Sequence, residues 1–331
     1  MKTKMKDIAR KAGVSITTIS RVINNSGYVA EGTKEKISKI IQDNNYSLNG
    51  IAQSLRTKKT YTIGFVMDQI YPDAFQASVA MWLETEAKKH NYKLLISNDL
   101  GIEKNEDISV NLLVKYRVDG IIFGFLRNKK NVSKIKKFDI PVVLVERTKG
   151  LKNTSAVLLD YRAGIKNAVE YLFSRGTKKI GFIGANPGDN IGDDCFDSYR
   201  ESLNKTGLEY NSSYIYLGPL DFETGFKAVE KNVNNNIFLD ALIIVGNLTA
   251  MGAVQACYKY KIKIPEDIMI ITTDDVMAQY TTPPLTSVSY DEKEIARTAF
   301  TLIFEQFGKK RPKNRIVFLE PKLNKRISTN D

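Results

Sequence analysis

The chain of 331 residues contains one histidine, two cysteines and one tryptophan. Cys195 and Cys257 are far apart and lack metal-ligand spacing, so we expect free thiols in a reducing compartment instead of a disulfide or a metal site. His90 lies in a polar Lys-Lys-His-Asn stretch, where a solvated ring is expected instead of a catalytic base. No run of about 18 apolar residues and no apolar N-terminal leader occurs. These absences predict a cytoplasmic protein that is neither exported nor membrane-spanning.

Signatures of phosphate binding and of catalysis are absent as well. No G-x-G-x-x-G follows the first predicted strand, and Gly181, Gly184 and Gly188 have a different spacing. The sequence contains neither a G-x-x-x-x-G-K-[ST] loop nor a serine in a G-x-S-x-G turn. We therefore predict a protein that is not an enzyme and that uses no cofactor and no metal ion.

Positive charge is concentrated at the N-terminus. Residues 1–60 contain twelve Lys and Arg against four Asp and Glu, a net of +8 out of the formal +12 of the whole chain. The remaining 271 residues therefore carry only +4. Because phosphate binding requires such a local excess of cations, residues 1–60 are predicted to bind DNA.

Residues 5–28 contain two short helical patterns separated by a tight turn at Gly13. Ser15 is a good N-cap for the second helix, since its hydroxyl can accept from a free amide of the next turn. The inward-facing apolar residues are Ile8, Ala9 and Ala12 in the first helix and Ile19, Val22 and Ile23 in the second. The outer face of the second helix then carries Thr17, Ser20, Arg21 and Asn24. A short helix with such a face, held by a partner across a glycine turn, is typical of a helix-turn-helix DNA reader.

These segments resemble the lactose/galactose repressor (LacI/GalR) family. The matching head segments are Ile8-Ala9-Arg10-Lys11-Ala12-Gly13-Val14-Ser15, Thr18-Ile19-Ser20-Arg21-Val22-Ile23-Asn24, Asn45-Tyr46 and Asn49-Gly50-Ile51-Ala52-Gln53-Ser54-Leu55. Further matches are Val118-Asp119-Gly120, Pro141-Val142-Val143, Asp160-Tyr161-Arg162-Ala163-Gly164, Ile264-Pro265-Glu266-Asp267 and Pro283-Pro284-Leu285-Thr286. The resemblance therefore covers essentially the whole chain.

Beyond the first two helices, a third is predicted over 31–46, with Ala30 as a poor N-cap. From residue 61 onward, nine apolar runs alternate with helical patterns, which is typical of parallel sheets covered on both faces. These runs are 61–67, 93–98, 119–125, 141–147, 156–161, 179–184, 214–218, 241–246 and 268–273. Nine strands fit two doubly wound lobes better than one sheet.

We therefore predict an α/β chain with a three-helix helix-turn-helix head. The resemblance implies a two-lobed, periplasmic-binding-protein-like core, with crossovers near 159–162, 288–291 and 318–322. The predicted segments are a DNA-binding domain over 1–47, a hinge helix and linker over 48–60, and an effector-binding and dimerisation core over 61–331. Within the core, the N-lobe is expected over about 61–159 and 291–318, and the C-lobe over about 160–290 and 319–331.

The resemblance places the second helix in the major groove, with Ile16, Thr17 and Arg21 at base edges. Their chemistry suits this role, because Arg can bind guanine bidentately, Thr either base type and Ile a thymine methyl. Phosphate or loop-packing roles fall to Thr18, Ser20, Asn24 and Tyr28.

A hinge helix over 49–55 is implied to form only on operator DNA, where Leu55 enters the minor groove between two copies of the chain. Asn49, Ile51 and Ala52 belong to the same DNA-binding segment. The alternative is a flexible tether with Leu55 exposed to solvent. Since one head reads too few base pairs, we expect a homodimer on a pseudo-palindromic double-stranded operator.

Ligands of open parallel sheets bind beyond the carboxyl ends of the strands, so the cleft between the lobes is the predicted effector site. The family pattern places effector contacts at Glu146 and Asp274. It departs at Cys195, where an Arg is usual, at Ser198 and at Gly246-Asn247. The remaining candidates are Asp68, Gln69, Tyr71, Phe75, Asp160, Asp194 and Asn247. Because this chain lacks the Arg guanidinium and a carboxylate of the family pattern, the sugar pocket that is usual in the family is incomplete here.

The family habit implies a repressor of a carbohydrate uptake or catabolism operon, controlled by a small-molecule effector such as a sugar or a sugar phosphate. A global regulator of the same fold, controlled by a nucleobase or by a phosphoprotein corepressor, stays open. A sugar-modifying enzyme is disfavoured by the missing catalytic motifs, and a secreted solute-binding protein by the DNA-binding head.

Overall fold

The computed structural model describes residues 5–23, 27–44, 59–68, 74–146, 153–188, 190–308 and 313–329. The chain divides into two compact units, Met1–Thr60 and Tyr61–Asp331, which we call the head and the core. No described helix is long and apolar enough to cross a membrane.

The head contains α1 (Met5–Ala12), α2 (Ile16–Ile23) and α3 (Glu31–Asp43). Gly13 turns the chain between α1 and α2 with a φ of 70°, a conformation that disfavours side chains with a Cβ. The buried centre is small and consists of Ile8, Ala9, Ala12, Ile19 and Ile37. The three predicted helices are thus confirmed, and α3 begins after Ala30, which makes no side-chain capping hydrogen bond.

The core contains two six-stranded sheets covered by helices. The first sheet has the order β11-β5-β4-β3-β1-β2 and the second β12-β10-β9-β8-β6-β7. The strands are β1 (Thr62–Met67), β2 (Lys93–Asn98), β3 (Gly120–Phe123), β4 (Val142–Val145), β5 (Ser155–Leu159), β6 (Ile180–Ala185), β7 (Ile215–Gly218), β8 (Ala241–Ile244), β9 (Met269–Thr272), β10 (Thr286–Ser289), β11 (Ile316–Leu319) and β12 (Lys322–Asn324). All neighbours pair in parallel except β12, which is antiparallel to β10. The predicted α/β class with two doubly wound sheets is confirmed.

The helices of the core follow the strands in alternation. They are α4 (Ala74–Lys89), α5 (Glu103–Lys115), α6 (Lys129–Lys136), α7 (Tyr161–Ser174), α8 (Asn190–Thr206), α9 (Phe222–Asn234), α10 (Asn247–Lys259) and α11 (Glu292–Phe304). The chain passes between the sheets three times: from β5 to α7, from β10 to α11 and from β11 to β12. These are the places at which the resemblance puts the crossovers.

Three strands escaped the sequence pattern. β10 reads Thr-Ser-Val-Ser, yet Thr286 and Ser287 are fully buried. The amide of Thr286 donates to Ser328 Oγ at 2.8 Å, and the two hydroxyls of Thr286 and Thr329 lie 2.7 Å apart. Buried hydroxyls are stable when they are satisfied in this way, but such partners are too distant in sequence to be read from a pattern.

Helices α9 and α10 cross closely enough to fix the start of α10. A Cβ on Gly225 would lie 1.8 Å from the carbonyl oxygen of Thr249, and one on Gly252 would lie 1.9 Å from that of Phe222. Two glycines therefore allow backbone-to-backbone packing here. This packing fixes Asn247, the first residue of α10, at the edge of the second sheet.

Candidate functional site

The outer face of α2 carries the residues predicted to read bases. Ile16 is 48% exposed, and Thr17 and Arg21 are exposed as well. Ile19, on the opposite side of the same helix, is fully buried. The face is therefore available to a partner, while the helix is held in place from behind.

The other described residues of the head differ in exposure. Thr18 is half-buried and its amide donates to Ser15 Oγ at 3.1 Å, which confirms Ser15 as the N-cap. The hydroxyls of Ser15 and Thr18 also lie 2.9 Å apart, so Thr18 supports the helix start. Ser20 is half-buried, whereas Tyr28 is 90% exposed. A phosphate contact at Thr18, Ser20 or Tyr28 stays a prediction.

Several predicted site residues lie outside the described residues. They are Asn24, Asn49, Ile51, Ala52 and Leu55 of the DNA-binding set, and Gln69 and Tyr71 of the effector set.

A cavity of about 400 Å³ lies between the carboxyl ends of the two sheets in the core. Loops after β1, β3 and β4 of the first sheet and after β7, β8 and β9 of the second contribute to its wall. Five predicted effector residues line it, namely Asp68, Phe75, Glu146, Asn247 and Asp274. The structure thus brings together residues that are up to about 200 positions apart in the sequence, as expected for a cleft between such sheets.

Three predicted effector residues lie elsewhere. Asp160 and Asp194 line a separate cavity of about 80 Å³, which shares Glu146 and Tyr161 with the larger one. Asp160 Oδ1 accepts from the amide of Ala163 at 2.9 Å and so caps α7. Asp194 Oδ1 lies 3.9 Å from an Arg162 nitrogen.

Cys195 lies inside the main apolar cluster with no exposed surface. Its thiol has no open path to a ligand in this arrangement, and it lines neither cavity. Asp160, Asp194 and Cys195 therefore do not line the larger cavity.

Arg127 is a residue of the cavity wall that sequence reasoning missed. Its Nη2 lies 2.7 Å from Asp68 Oδ2, and its Nη1 lies 3.6 Å from Asp99 Oδ1. Asp99 is fully buried, and burial raises the pKa of its carboxyl from an ordinary 3.8 to about 6, while Arg127 opposes this rise. Arg127 lies in a loop after β3, and no sequence motif marks it. It meets the carboxyl groups of Asp68 and Asp99 only because β3, β1 and β2 are parallel neighbours in the sheet.

A second buried carboxyl holds the Arg127 loop. Glu106 of α5 is fully buried and accepts hydrogen bonds from the amides of Arg127 at 2.7 Å and Asn128 at 3.1 Å. It also accepts from the side-chain nitrogen of Asn131 at 2.8 Å. The cavity wall is thereby connected to α5, which carries exposed apolar residues on its outer face.

Glu146 and two tyrosines form another part of the wall. The Tyr161 hydroxyl donates to Glu146 Oε1 at 2.7 Å, and the rings of Tyr161 and Tyr290 are 5.4 Å apart. Burial and the nearby Glu146 carboxylate raise the pKa of Tyr161 well above its ordinary value. Both phenols are therefore neutral at physiological pH, and the Tyr161 proton orients the Glu146 carboxylate.

The wall from the second lobe contains Asp275, whose carboxylate is neutralised by Arg326 at 2.6 Å. Ser287 Oγ donates to the same carboxylate oxygen. Nearby, burial raises the pKa of Glu292 above its ordinary value, and the negative charge of Asp275 adds to that shift.

Several buried polar atoms of the wall have no hydrogen-bond partner within the described chain. They include both Oδ1 and Nδ2 of Asn247, Oδ1 of Asp68, Nη1 of Arg127 and the hydroxyl of Tyr290. Buried polar groups are nearly always satisfied in native proteins, so such a group of atoms around one cavity indicates a bound ligand or ordered water.

The cavity can accept hydrogen bonds better than it can neutralise negative charge. Its described wall contains five carboxylates, namely those of Asp68, Glu146, Asp274, Asp275 and Glu292, and one guanidinium, that of Arg127. Aromatic rings of Phe75, Phe125, Tyr161 and Tyr290 supply apolar faces. In the described residues, no group of three or more His, Cys, Asp or Glu side chains could hold a metal ion.

Comparison with known proteins decides the family. Residues 4–49 match the description "Bacterial regulatory proteins, lacI family", and residues 169–329 match "Periplasmic binding protein-like domain". The chain is 30% identical to Catabolite control protein A of Priestia megaterium over 336 aligned residues, which cover 99% of this chain and 100% of the relative. The chain belongs to the lacI family of bacterial regulatory proteins.

Other members of the lacI family are similar at nearly the same level. The HTH-type transcriptional repressor PurR of Vibrio atlanticus is 28% identical over 325 residues, with 97% of each chain covered. This chain is accordingly a DNA-binding transcriptional regulator controlled by a ligand, as predicted, and the family consists of transcription regulators and not of enzymes.

Solved structures share the fold. A lac repressor dimer bound to operator and the anti-inducer ONPF matches with a TM-score of 0.84 at 20% identity, with 99% of each chain covered. A complex of the transcriptional regulator CelR with cellobiose matches with a TM-score of 0.74 at 22% identity, covering 98% of this chain and 99% of the other. The periplasmic-binding-protein-like core predicted from the sequence is confirmed.

Proposed function

We propose that this regulator is a homodimeric repressor of carbohydrate uptake or catabolism genes. Its effector is a neutral polyhydroxylated molecule, a sugar without a phosphate group, which binds in the cavity of the core. The observation that carries this proposal is the polarity of the cavity, which combines an excess of carboxylates with buried polar atoms that lack partners.

The charges of the wall favour a neutral ligand over an anionic one. Arg127 is paired with Asp68 at 2.7 Å and lies near Asp99, so two carboxylates already offset the positive charge that it would offer to a phosphate. Asp275 is neutralised by Arg326. Glu146, Asp274 and Glu292 add three more carboxyl groups to the wall, whereas Arg127 is the one cationic side chain among its described lining residues. A phosphate would approach these like charges in a partly desolvated site, which is strongly unfavourable.

Hydroxyl groups suit the same wall. Each sugar hydroxyl donates one hydrogen bond and can accept others, and carboxylates accept without competition from water in a closed cleft. The Asn247 amide offers a donor and an acceptor that no described residue uses. Aromatic rings can cover the apolar faces of a sugar ring, and a volume of about 400 Å³ lies in the usual range of small-molecule sites.

The relatives alone leave the effector class open, because Catabolite control protein A and PurR repressors are nearly equally similar to this chain. The cavity favours a sugar over a nucleobase. A nucleobase offers few hydrogen-bond donors to a wall with five carboxyl groups, whereas a polyol offers a donor at each hydroxyl.

Ligand-dependent thermal stability of the full-length protein tests this effector class. Neutral monosaccharides and disaccharides, their phosphate esters and free nucleobases are each added at equal concentration. We expect Tm to rise with a neutral sugar, since binding to the native state alone stabilises it. The Asn247→Leu variant should lose that rise, whereas Asp194→Asn, in the separate cavity, should keep it. Stabilisation by phosphate esters or nucleobases in preference to sugars would refute the proposed class.

Dimerisation is proposed through an apolar surface on the first lobe. β2 is an edge strand, and exposed apolar side chains cluster on it, on the loop after it, on α5 and at the C-cap of α5. They are Ile96, Leu100, Ile102, Ile108, Leu112 and Tyr116. An edge strand flanked by such a surface is suited to pairing with a second copy in a two-fold arrangement.

Sedimentation of the full-length protein checks the dimer. Leu112→Lys should shift the protein toward monomers, because a charge would then be buried in the interface. Phe318→Lys provides the control, since Phe318 is 58% exposed on β11 at the opposite edge of the same sheet. A wild-type monomer at micromolar concentration, or an equal effect of both variants, would contradict the proposal.

A further inference from the structure

The amino-terminal edge of the first sheet carries many cations. Parallel strands begin together at one edge of a sheet, and the preceding helices end there. The exposed cations at this edge are Lys88, Lys89, Lys93, Lys115, Arg117, Lys136, Lys137, Lys313 and Arg315, which we call the basic rim. The acids at the same edge are Glu84, Glu86, Asp119, Asp139 and Glu305. The basic rim therefore has a clear excess of positive charge.

Most acids of this edge are already engaged. Glu84 lies 3.2 Å from Lys88, Glu86 lies 2.8 Å from Lys89 and Glu305 lies 2.5 Å from Arg315. Asp119 accepts from the amide of Tyr61 at 2.8 Å. Among the described residues, no ion pair is found for Lys93, Lys115, Lys137 or Lys313.

Helix ends explain only part of this charge. Lysines in the last turn of a helix interact favourably with its macrodipole, which accounts for Lys88, Lys89, Lys115 and Lys136. Lys93 begins β2, and Lys313 and Arg315 precede β11, so no helix end requires their charge.

The basic rim lies at the edge of the first sheet where the chain enters the core. The core begins at Tyr61, whose carbonyl accepts from the amide of Lys93 at this edge. The head, Met1–Thr60, directly precedes this position in the sequence. The amino-terminal edge of the second sheet lies at the other end of the core, because the carboxyl ends of both sheets face the shared cavity.

We propose that the basic rim contacts the sugar-phosphate backbone of DNA that flanks the operator. Double-stranded DNA carries one negative charge for about every 1.7 Å of its axis, so a duplex held by two heads presents phosphates beyond the bases that they read. Contacts of lysine with phosphate carry no sequence information but add affinity that depends on salt. The core would thus contribute directly to DNA binding, in addition to sensing the effector.

Two duplexes and two matched double variants test this proposal with the full-length protein. One duplex ends at the boundaries of the operator that the protein selects from a random pool, and the other extends that operator by about 15 base pairs on each side. Lys137→Gln with Lys313→Gln removes two unpaired cations of the rim. Lys178→Gln with Lys263→Gln, at the amino-terminal edge of the second sheet, provides the control.

We expect the rim variant to bind the extended duplex about tenfold more weakly and to lower its salt slope by up to about four, as four lost phosphate contacts per dimer require. Binding to the short duplex should not change, which shows that the heads still work. The control variant should match the wild type on both duplexes. An equal loss on both duplexes, no loss on either, or an equal loss in the control would each overturn the proposal. Sedimentation and thermal unfolding verify that all variants stay dimeric and folded.

Discussion

The DNA-reading face of the head and the effector cavity of the core expose their functional side chains to very different extents. On α2, Ile16 is 48% exposed, and Thr17 and Arg21 also lie on the surface. In the cavity, Asn247 is 8% exposed, and Arg127 is held by Asp68 at 2.7 Å. In the head, the functional side chains therefore do not support the fold. In the core, the residues that line the cavity also take part in the interactions that hold the fold together.

This difference predicts how function and stability are coupled in each region. In the head, the small apolar centre around Ile8, Ile19 and Ile37 maintains the fold, so a change on the reading face should alter DNA binding alone. In the core, ion pairs at the cavity wall lie partly in low dielectric, so a change there should alter both ligand binding and folding.

The strongest contrast is expected for Arg127→Ala. Removing the guanidinium leaves Asp68 and Asp99 without their cation in a buried region, which typically destabilises a protein by about 3–5 kcal/mol. Denaturant unfolding of the core measures this loss. The control is Arg200→Ala, an exposed arginine that lies over the rings of Phe196 and Tyr210 and should cost about 1 kcal/mol or less. Similar losses for both variants would show that the cavity wall does not support the fold.

Asp99 makes the stability of the core depend on pH. Burial raises its pKa to about 6, with Asp68 and Glu106 adding to the rise and Arg127 opposing it. The folded state thus binds the proton more tightly than the unfolded chain. The resulting stabilisation is complete below about pH 4 and is lost as pH rises through about 6, with a magnitude of up to about 3 kcal/mol.

Comparing the unfolding free energy of wild type and Asp99→Asn between pH 4 and 7 isolates this effect. The wild type should lose stability relative to the variant as pH rises across that interval, because asparagine does not titrate. Asp197→Asn, an exposed position on α8, should follow the wild-type curve. Parallel curves for wild type and Asp99→Asn would mean that folding does not raise the pKa of Asp99.

Arg21→Ala tests the head side of the contrast. It should weaken binding to a cognate operator by about 1–3 kcal/mol and relax base preference at one position of each half-site. The Tm of the head should barely change, since Arg21 is exposed. Lys36→Ala, on the exposed side of α3, should leave base preference intact. If Arg21→Ala weakened binding to cognate and random duplexes equally, Arg21 would contact a phosphate and not a base edge.

The smallest expected effect concerns Gly50, in the predicted hinge helix outside the described residues. Gly50→Ala should increase operator affinity by up to about 1 kcal/mol per hinge, because alanine lowers the cost of forming a helix on DNA. Gly32→Ala is a matched control, since Gly32 lies in α3 with open space around its Cα and should stabilise only the head. Protection of the amides of residues 47–58 from hydrogen exchange in free dimers would contradict a hinge that folds on DNA.

The parts of the fold that were predictable depend on neighbours in the sequence. The helices of the head follow from the spacing of Ile8, Ala12 and Ile19, and the strands β1 to β9 follow from short apolar runs. Of the three strands that escaped, β11 is an apolar run of four residues that the same pattern fits. β10 and β12 escaped because their residues are polar or few, and hydroxyls such as that of Thr286 are satisfied by partners some 40 positions away.

The candidate site was most predictable where a residue follows the end of a strand. Asp68 immediately follows β1, Glu146 immediately follows β4, and Asp274 lies close to the end of β9. All three residues line the cavity. Asp160 also follows a strand, but it lies at a crossover between the sheets and caps α7 instead. Asp160 differs from these three residues in the direction in which the chain leaves the strand. A local sequence pattern does not contain that direction.

The sequence by itself determined the helix-turn-helix head, the basic N-terminus, the α/β core and the family, because periodicity, charge and matched segments are properties of consecutive residues. Only the tertiary structure decided which polar groups meet in the cavity. Arg127 pairs with Asp68 and Asp99 because β3, β1 and β2 lie side by side and end at the same edge. Cys195 is buried for the same kind of reason, since the packing of α8 on β6 turns it into the apolar cluster and away from the ligand.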